Sequence, residues 1–250
     1  MNGRGVGFEW GPAGARHLAP QVACLAVVDV LSFTTAVSVA VDAGTRVYPY
    51  RWRDATAQEY ATRMDAALAV GRRAATGESP WSLSPAALRR APRTARLVLP
   101  SPNGSTIAAE AAGGGATVVA VSLRNARAAA RWLRTQGYGT SERPLAVIAA
   151  GEQWPDGSLR PAVEDLLGAG ALISTLRGLG TTDLTPEAAT AAAAWDTTAD
   201  PATVLRRCHS GRELSEGAFA GFTEDVDIAA EINASTTVPV LADGAFTAST

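Results

Sequence analysis

Short runs of apolar residues that do not alternate with polar ones recur along the chain. They are QVACLAVVD (21–29), TRVYPY (45–50), RLVLP (96–100), ATVVAVS (116–122), PLAVIAA (144–150) and TTVPVL (236–241). A strand with one face in water alternates, whereas a strand covered on both faces reads as a continuous apolar run. The pattern therefore predicts an α/β fold, a mainly parallel sheet flanked by helices. Pro49 and Pro239 lack a backbone donor and place their strands at sheet edges or put the prolines at strand ends. Helical patterns lie between the runs, over 34–43, 54–70, 105–112, 125–136 and 164–179, with Asp54 a candidate N-cap and Gly44 and Gly71 candidate stops. The region 183–235 reads as mostly helical, with Pro186 and Pro201 near helix starts. The stretch 74–95, with Pro80, Pro85 and Pro92, reads as an irregular lid or excursion. No linker divides the chain, so a single α/β domain over 1–250 with a helical C-terminal part is expected.

Composition narrows the chemistry. All 22 basic residues are arginine, which excludes Schiff-base chemistry and a P-loop lysine. The two histidines, His17 and His209, are far apart, which argues against a histidine-rich zinc site. A metal acting here is expected to be a hard cation held by carboxylates, which suits magnesium. A formal net charge of −2 gives no duplex-binding surface, so no nucleic-acid partner is expected. No apolar run reaches the roughly 18 residues of a membrane span. The first residues lack the basic segment and apolar run of a signal peptide. Cys24 and Cys208 form no CxxC pair. A cytoplasmic protein with reduced thiols is the expectation.

Ligands in open α/β sheets sit outside the carboxyl ends of parallel strands, and three strand-to-helix junctions carry suitable groups. In DVLSFTT (29–35), Asp29 leaves the strand and Ser32 and Thr34 precede or open the helix. They can serve an anion at the helix start or simply cap it. In LPSPNGST (99–106), Asn103–Gly104 permits an unusual turn with the hydroxyls of Ser105 and Thr106 beside it. An ordinary Asn-Gly turn explains it equally well. In AAGEQWPDGSLRPAVEDLLGAG (149–170), Glu164–Asp165 opens a helix followed by Gly168, Ala169 and Gly170. Acidic residues in a first turn stabilise it locally by roughly 0.3–1 kcal/mol. Taken together, the three junctions could hold a divalent ion and an anion between them.

The order of these motifs resembles the 2-phosphosulfolactate phosphatase family. The family's D-V-L-R-A-T-T is here DVLSFTT, and its T-T-N-G-T loop is SPNGST. Its A-G…E-D…A-G segment is Ala150–Gly151, Glu164–Asp165 and Ala169–Gly170. Gly211-Arg212-Glu213-Leu214, Asp225-Val226 and Val238-Pro239 stand for its G-R-x-L…D-[VI]…V-P stretch. The sequence departs from the pattern at Ser32, where the family has arginine, and at Phe33. It departs again at Arg72 in place of the glutamate of G-E-R, at Leu83 in place of the asparagine of G-N-S-P, and at Ala149 in place of cysteine.

The resemblance implies a magnesium-dependent phosphomonoester hydrolase of coenzyme M biosynthesis, acting on a small anionic phosphoester, with a tendency to self-associate. Asp29, Glu164 and Asp165 become candidate metal ligands or bases. Ser32, Thr34, Asn103, Gly104, Ser105 and Thr106 become candidate phosphate-side groups, and Arg73 and Arg212 candidate clamps for a carboxylate or sulfonate. Haloacid-dehalogenase-like enzymes carry D-x-D where this chain has Leu31, and place a lysine nearby, so Asp29 is read as a metal or base residue. Cys24 is read as packing, and the Cys208–His209 pair as a helix-end feature. The rival reading is a non-catalytic protein that binds a small phosphorylated or dicarboxylic ligand.

Overall fold

The computed structural model of the protein describes residues 5–51, 54–217 and 220–249. The chain starts with β1 (Val6–Trp10), α1 (Gly11–Leu18), β2 (Cys24–Val28), α2 (Phe33–Asp42), β3 (Arg46–Tyr50), α3 (Ala55–Met64) and β4 (Ala67–Leu68). It continues through α4 (Pro85–Arg90), β5 (Arg96–Pro100), α5 (Gly104–Ala112), β6 (Thr117–Val121), α6 (Ala126–Thr135) and β7 (Leu145–Ala149). A short hairpin, β8 (Glu152–Gln153) and β9 (Leu159–Arg160), precedes α7 (Val163–Gly178). Then come α8 (Pro186–Asp196), α9 (Pro201–Arg207), α10 (His209–Ser215) and α11 (Thr223–Ala229), and a closing hairpin, β10 (Pro239–Ala242) and β11 (Ala245–Ala248).

Among the described residues nine strands form one sheet in the order β1-β7-β2-β6-β10-β11-β3-β5-β4. The continuous apolar character of the central strands follows from cover on both faces. Cys24, Ala26 and Val28 of β2 face α6, α7 and α8 in one buried cluster. Leu25 and Val27 face α1, α2 and α5 in another. The same alternation holds in β6 and β7. Among the described residues no helix is long and apolar enough to cross a membrane.

The sheet is two parallel blocks of opposite sense. In one, β1, β7, β2 and β6 pair in parallel; in the other, β3, β5 and β4 do. The hairpin β10–β11 joins them through antiparallel pairs to β6 and β3. On a flat sheet the carboxyl ends of β2 and β5 would point opposite ways. The two strands nonetheless share a core, with Leu25 and Val27 of β2 in one buried cluster with Leu97 and Leu99 of β5. Beyond their ends Gly104 N donates to the Asp29 carboxylate, so the two ends meet.

Several elements differ from the sequence expectations. The helix expected over 54–70 does start at the Asp54 cap but ends at Met64, where Asp65 adopts φ 50°. Ala67 and Leu68 then pair with β5 at the sheet edge, half-buried, with Leu68 against the Val98 cluster. β1 and α1 lie in a glycine-rich stretch with no periodic signal. β11 follows an Asp243–Gly244 turn whose φ values, 51° and 77°, are those of a tight hairpin. Neither proline-bearing strand is an edge strand. Pro239 begins β10, and Pro49 lies near the end of β3, beyond the single pairing of Val47 with β11. Within 74–95 the chain forms α4, capped by Ser84, rather than staying irregular throughout.

Candidate active site at the strand ends

Asp29 follows β2 directly and is buried. Its Oδ1 accepts a hydrogen bond from Phe33 N at 3.0 Å, and its Oδ2 accepts one from Gly104 N at 2.9 Å. The carboxylate thereby joins the first turns of α2 and α5. Thr34 Oγ1 donates to Asp29 O and accepts from Asp29 N, so this hydroxyl fixes the backbone of the aspartate. Gly104 allows the close approach: a Cβ there would lie 2.7 Å from Asp29 Oδ2 and 2.4 Å from Phe33 Cδ1.

Asp165, in the first turn of α7, buckles two strand ends together. Its Oδ1 accepts from Val30 N at 2.7 Å and its Oδ2 from Gly151 N at 2.9 Å. Glu164 beside it is also buried, and its charge acts on both Asp29 and Asp165. Gly168 and Gly170 let α7 pack closely. A Cβ at Gly168 would meet Val28 and Val30, and one at Gly170 would meet the backbone of α8.

A cavity of about 200 Å³ opens over these strand ends. Its lining includes Asp29, Ser101, Asn103 and Glu152, which follow β2, β5 and β7. Arg72 and Leu83 of the excursion and Ser210, Glu213 and Leu214 of α10 complete it. Asn103 Nδ2 donates to Glu152 Oε2 at 2.8 Å. Arg72 Nη2 donates to Ser32 Oγ at 2.6 Å, and its Nε donates to Asp225 Oδ2 at 3.1 Å. A larger cavity, about 310 Å³, lies at the other end of α2, beside Trp81, Leu88 and Arg124, and contains none of the strand-end groups.

Charge is unevenly distributed here. Burial pushes the Asp29 carboxyl up to about 6, against the pull of the Phe33 and Gly104 amides and of Arg72, while Glu164 adds to the rise. Burial, then the charge of Asp29, pushes Glu152 up to about 7. Asp165 is held well above the usual carboxylate range by burial and by the charges of Asp29 and Glu164. Among the described residues three carboxyl groups line the cavity, Asp29, Glu152 and Glu213, against one cation, Arg72. A further cation would offset the negative charge of a phosphate placed among them. Among the described residues, however, no three His, Cys, Asp or Glu side chains converge as a ready-made metal cage. Mg²⁺ commonly takes only one or two carboxylates and completes its shell with water and phosphate oxygens, so the donor set fits that ion.

The residues singled out in the sequence divide accordingly. Asp29, Ser32 and Asn103 line the cavity, with Gly104, Glu164 and Asp165 directly behind. The hydroxyls of Ser105 and Thr106 turn back to the carbonyls of Leu99 and Pro102. Arg73 is exposed next to the inward-reaching Arg72. Arg212 is exposed on α10, 3.9 Å from Glu216, and borders a separate depression with Arg207 and His209. Cys208 caps α10 by accepting from Gly211 N. Glu152 emerges only from the structure, whereas Arg72 and Asp225, which the sequence offered as a departure from the family pattern and as part of it, are paired beside the cavity by the fold. Glu152 directly follows the Ala150–Gly151 pair, which was its one sequence signal.

Comparison with known proteins extends the picture to nearly the whole chain. The family model described as 2-phosphosulpholactate phosphatase matches residues 14–244. A protein of Deinococcus radiodurans named "probable 2-phosphosulfolactate phosphatase" is 31% identical over 232 residues, covering 90% of this chain and 89% of its own.

Proposed function

The chain belongs to the 2-phosphosulfolactate phosphatase family, and from that premise we propose that it hydrolyses 2-phosphosulfolactate or a closely related small phosphomonoester with the help of Mg²⁺. The observation that carries the reading is Asp29, a buried carboxylate fixed by two backbone amides at the edge of the strand-end cavity. A carboxylate placed only to start a helix needs neither the Gly104 amide from a second helix nor the acidic neighbours Glu152 and Glu164.

In the reaction the oxygen of water bonds to phosphorus, the ester P–O bond breaks, and the departing oxygen gains a proton. Asp29, which lines the cavity, would hold Mg²⁺ with Glu164 adding negative charge from behind it, and the ion would supply neutralisation of phosphate oxygens and orientation of the attacking water. Asp165 keeps the ends of β2 and β7 in register behind these two groups. Glu152 faces the cavity with Oε2 fixed by Asn103, which leaves Oε1 to exchange a proton with the reacting water or the departing oxygen. Asn103 is thus the orienting group for Glu152, and Thr34 the orienting group for Asp29.

The test is phosphate release from a panel of three-carbon phosphoesters that includes 2-phosphosulfolactate, with Mg²⁺ and again after EDTA. Turnover that EDTA abolishes and Mg²⁺ restores supports the reading. Binding of those ligands with no metal-dependent turnover would replace it with a binding protein.

A further inference from the structure

Among the described residues that line the strand-end cavity, Arg72 is the one cation. It does not come from a strand end but from the short turn Arg72–Ala74 that leads into the excursion. Two of its three nitrogens are committed: Nε to Asp225 and Nη2 to Ser32. Its Nη1 has no hydrogen-bond partner among the described residues, while the residue itself borders the cavity. Asp225 is wholly buried and itself anchored, because its Oδ1 accepts from Ser84 Oγ and from Ala86 N at the start of α4. The ring of Phe222 lies 5.9 Å from the guanidinium carbon. The guanidinium is therefore held in one orientation before any ligand arrives, with a donor to spare.

Arg72 reaches the cavity from a different part of the chain than Asp29 and Glu152. Asp29, Asn103 and Glu152 come from the strand ends, whereas Arg72 and Leu83 come from the excursion and Glu213 and Leu214 from α10. A phosphoester whose phosphoryl group lies at Asp29 and Glu152 would leave its remaining atoms within the same cavity, where Arg72 is the cation that the described lining offers them. We propose that Arg72 is the specificity-determining residue of this site, binding a non-reacting acidic group, carboxylate or sulfonate, on the substrate, and that Asp225 is its positioning residue. The inference rests on the hydrolase reading above and deepens it. Phosphomonoesters with a second acid group are selected, and those with a neutral tail are passed over.

Two measurements test this. The first is the ratio of kcat/KM for 2-phosphosulfolactate to that for glycerol 2-phosphate, in the wild type and in Arg72→Ala. Loss of a charge-assisted hydrogen bond to a desolvated anion is worth about ten- to a hundredfold, so the ratio is expected to fall by that factor. The loss should appear in KM more than in kcat. Arg72→Lys keeps the charge but not the fork and recovers part of the ratio. Asp225→Asn loosens the fork and lowers the ratio by less than Arg72→Ala. Because Arg72→Ala strands the buried Asp225 charge, Arg72→Ala/Asp225→Asn serves as the variant that removes both. The second measurement is calorimetric titration, with Mg²⁺ present, with sulfolactate, which carries both acid groups and no phosphoryl group. Its affinity is expected to drop by a similar factor in both Arg72→Ala variants. If the ratio stays constant while both substrates lose kcat equally, Arg72 serves the phosphoryl group and the inference falls. If the wild type hydrolyses no phosphoester, the hydrolase reading fails, and the titration alone then decides on Arg72. Failure of sulfolactate to bind the wild type, or equal binding by the variants, overturns the assignment.

Discussion

Replacing Gly104 by alanine sets two physical expectations against each other. Gly104 is the first residue of α5. On helix propensity alone, alanine gains up to about 1 kcal/mol over glycine inside a helix, and the unfolded chain loses freedom worth another 0.4–1 kcal/mol or so. The surroundings say the opposite. The new Cβ would stand 2.4 Å from Phe33 Cδ1 and 2.7 Å from Asp29 Oδ2. Phe33 is fully buried against Phe246 and cannot swing away. Overpacking of this kind costs about 1–3 kcal/mol. Moving α5 outward to relieve it breaks the Gly104 N–H bond to the Asp29 carboxylate, worth about 1.5–3 kcal/mol for a charged acceptor. The net expectation is destabilisation of about 2–4 kcal/mol, a large part of the roughly 5–15 kcal/mol typical of a folded protein. Gly113, at the other end of the same helix, is the control. It has helical angles, and a Cβ there meets only Glu110 O at an ordinary 3.6 Å. Gly113→Ala should be neutral or stabilising by up to about 1 kcal/mol. Urea unfolding of both variants, followed by circular dichroism at neutral pH, measures the two differences. A Gly104→Ala protein as stable as the wild type would refute the proposed coupling of α5 to Asp29.

Three further outcomes are expected. Without divalent ions, stability should fall as pH rises from about 5 to 7, because Asp29 and Glu152 have folded pKa values raised to about 6 and 7 and the folded state there binds more protons than the unfolded. The acids with lowered values, such as Asp196 and Glu231, give their contribution below that window; thermal unfolding across it should show a decline that Mg²⁺ or Glu152→Gln flattens, and a rising curve would contradict the acidic cluster. Both thiols should resist an aromatic disulfide reagent at neutral pH in the native protein and react once it is denatured, since burial raises Cys24 strongly and pushes Cys208 up to about 12. Gly170→Ala should destabilise more than Gly168→Ala, because its Cβ meets the Ala191 carbonyl oxygen of α8 at 2.2 Å, whereas at Gly168 it meets valine methyl groups that can turn; comparison of their urea midpoints checks the order.

The parts of this molecule that could be read from sequence are those set by local chemistry. β2, β6 and β7 stand out because cover on both faces leaves no room for a polar alternate residue. Asp29 stands out because it ends an apolar run and the Glu164–Asp165 pair because it opens a helix, although helix-start chemistry alone explains acids at either place. What stayed hidden depends on partners distant along the chain. The reversal of sense between the two parallel blocks comes from where β10 and β11 insert, between β6 and β3. The Asp243–Gly244 turn marks a hairpin but carries no information about the strands it will join.

The two substitutions at Ser32 and Arg72 show the same limit at the site. Along the sequence they look like two separate losses: an arginine missing beside the first helix, and an acid missing from a glycine-rich turn. In space Arg72 Nη2 lies 2.6 Å from Ser32 Oγ. A guanidinium carried on residue 72 thus reaches the side chain of residue 32, and the short serine leaves it room. The buried acid that a cation there requires is supplied by Asp225, from a third part of the chain. Loss of Asp225 should therefore weaken anion binding as a mispositioned Arg72 would, although the aspartate does not itself line the cavity.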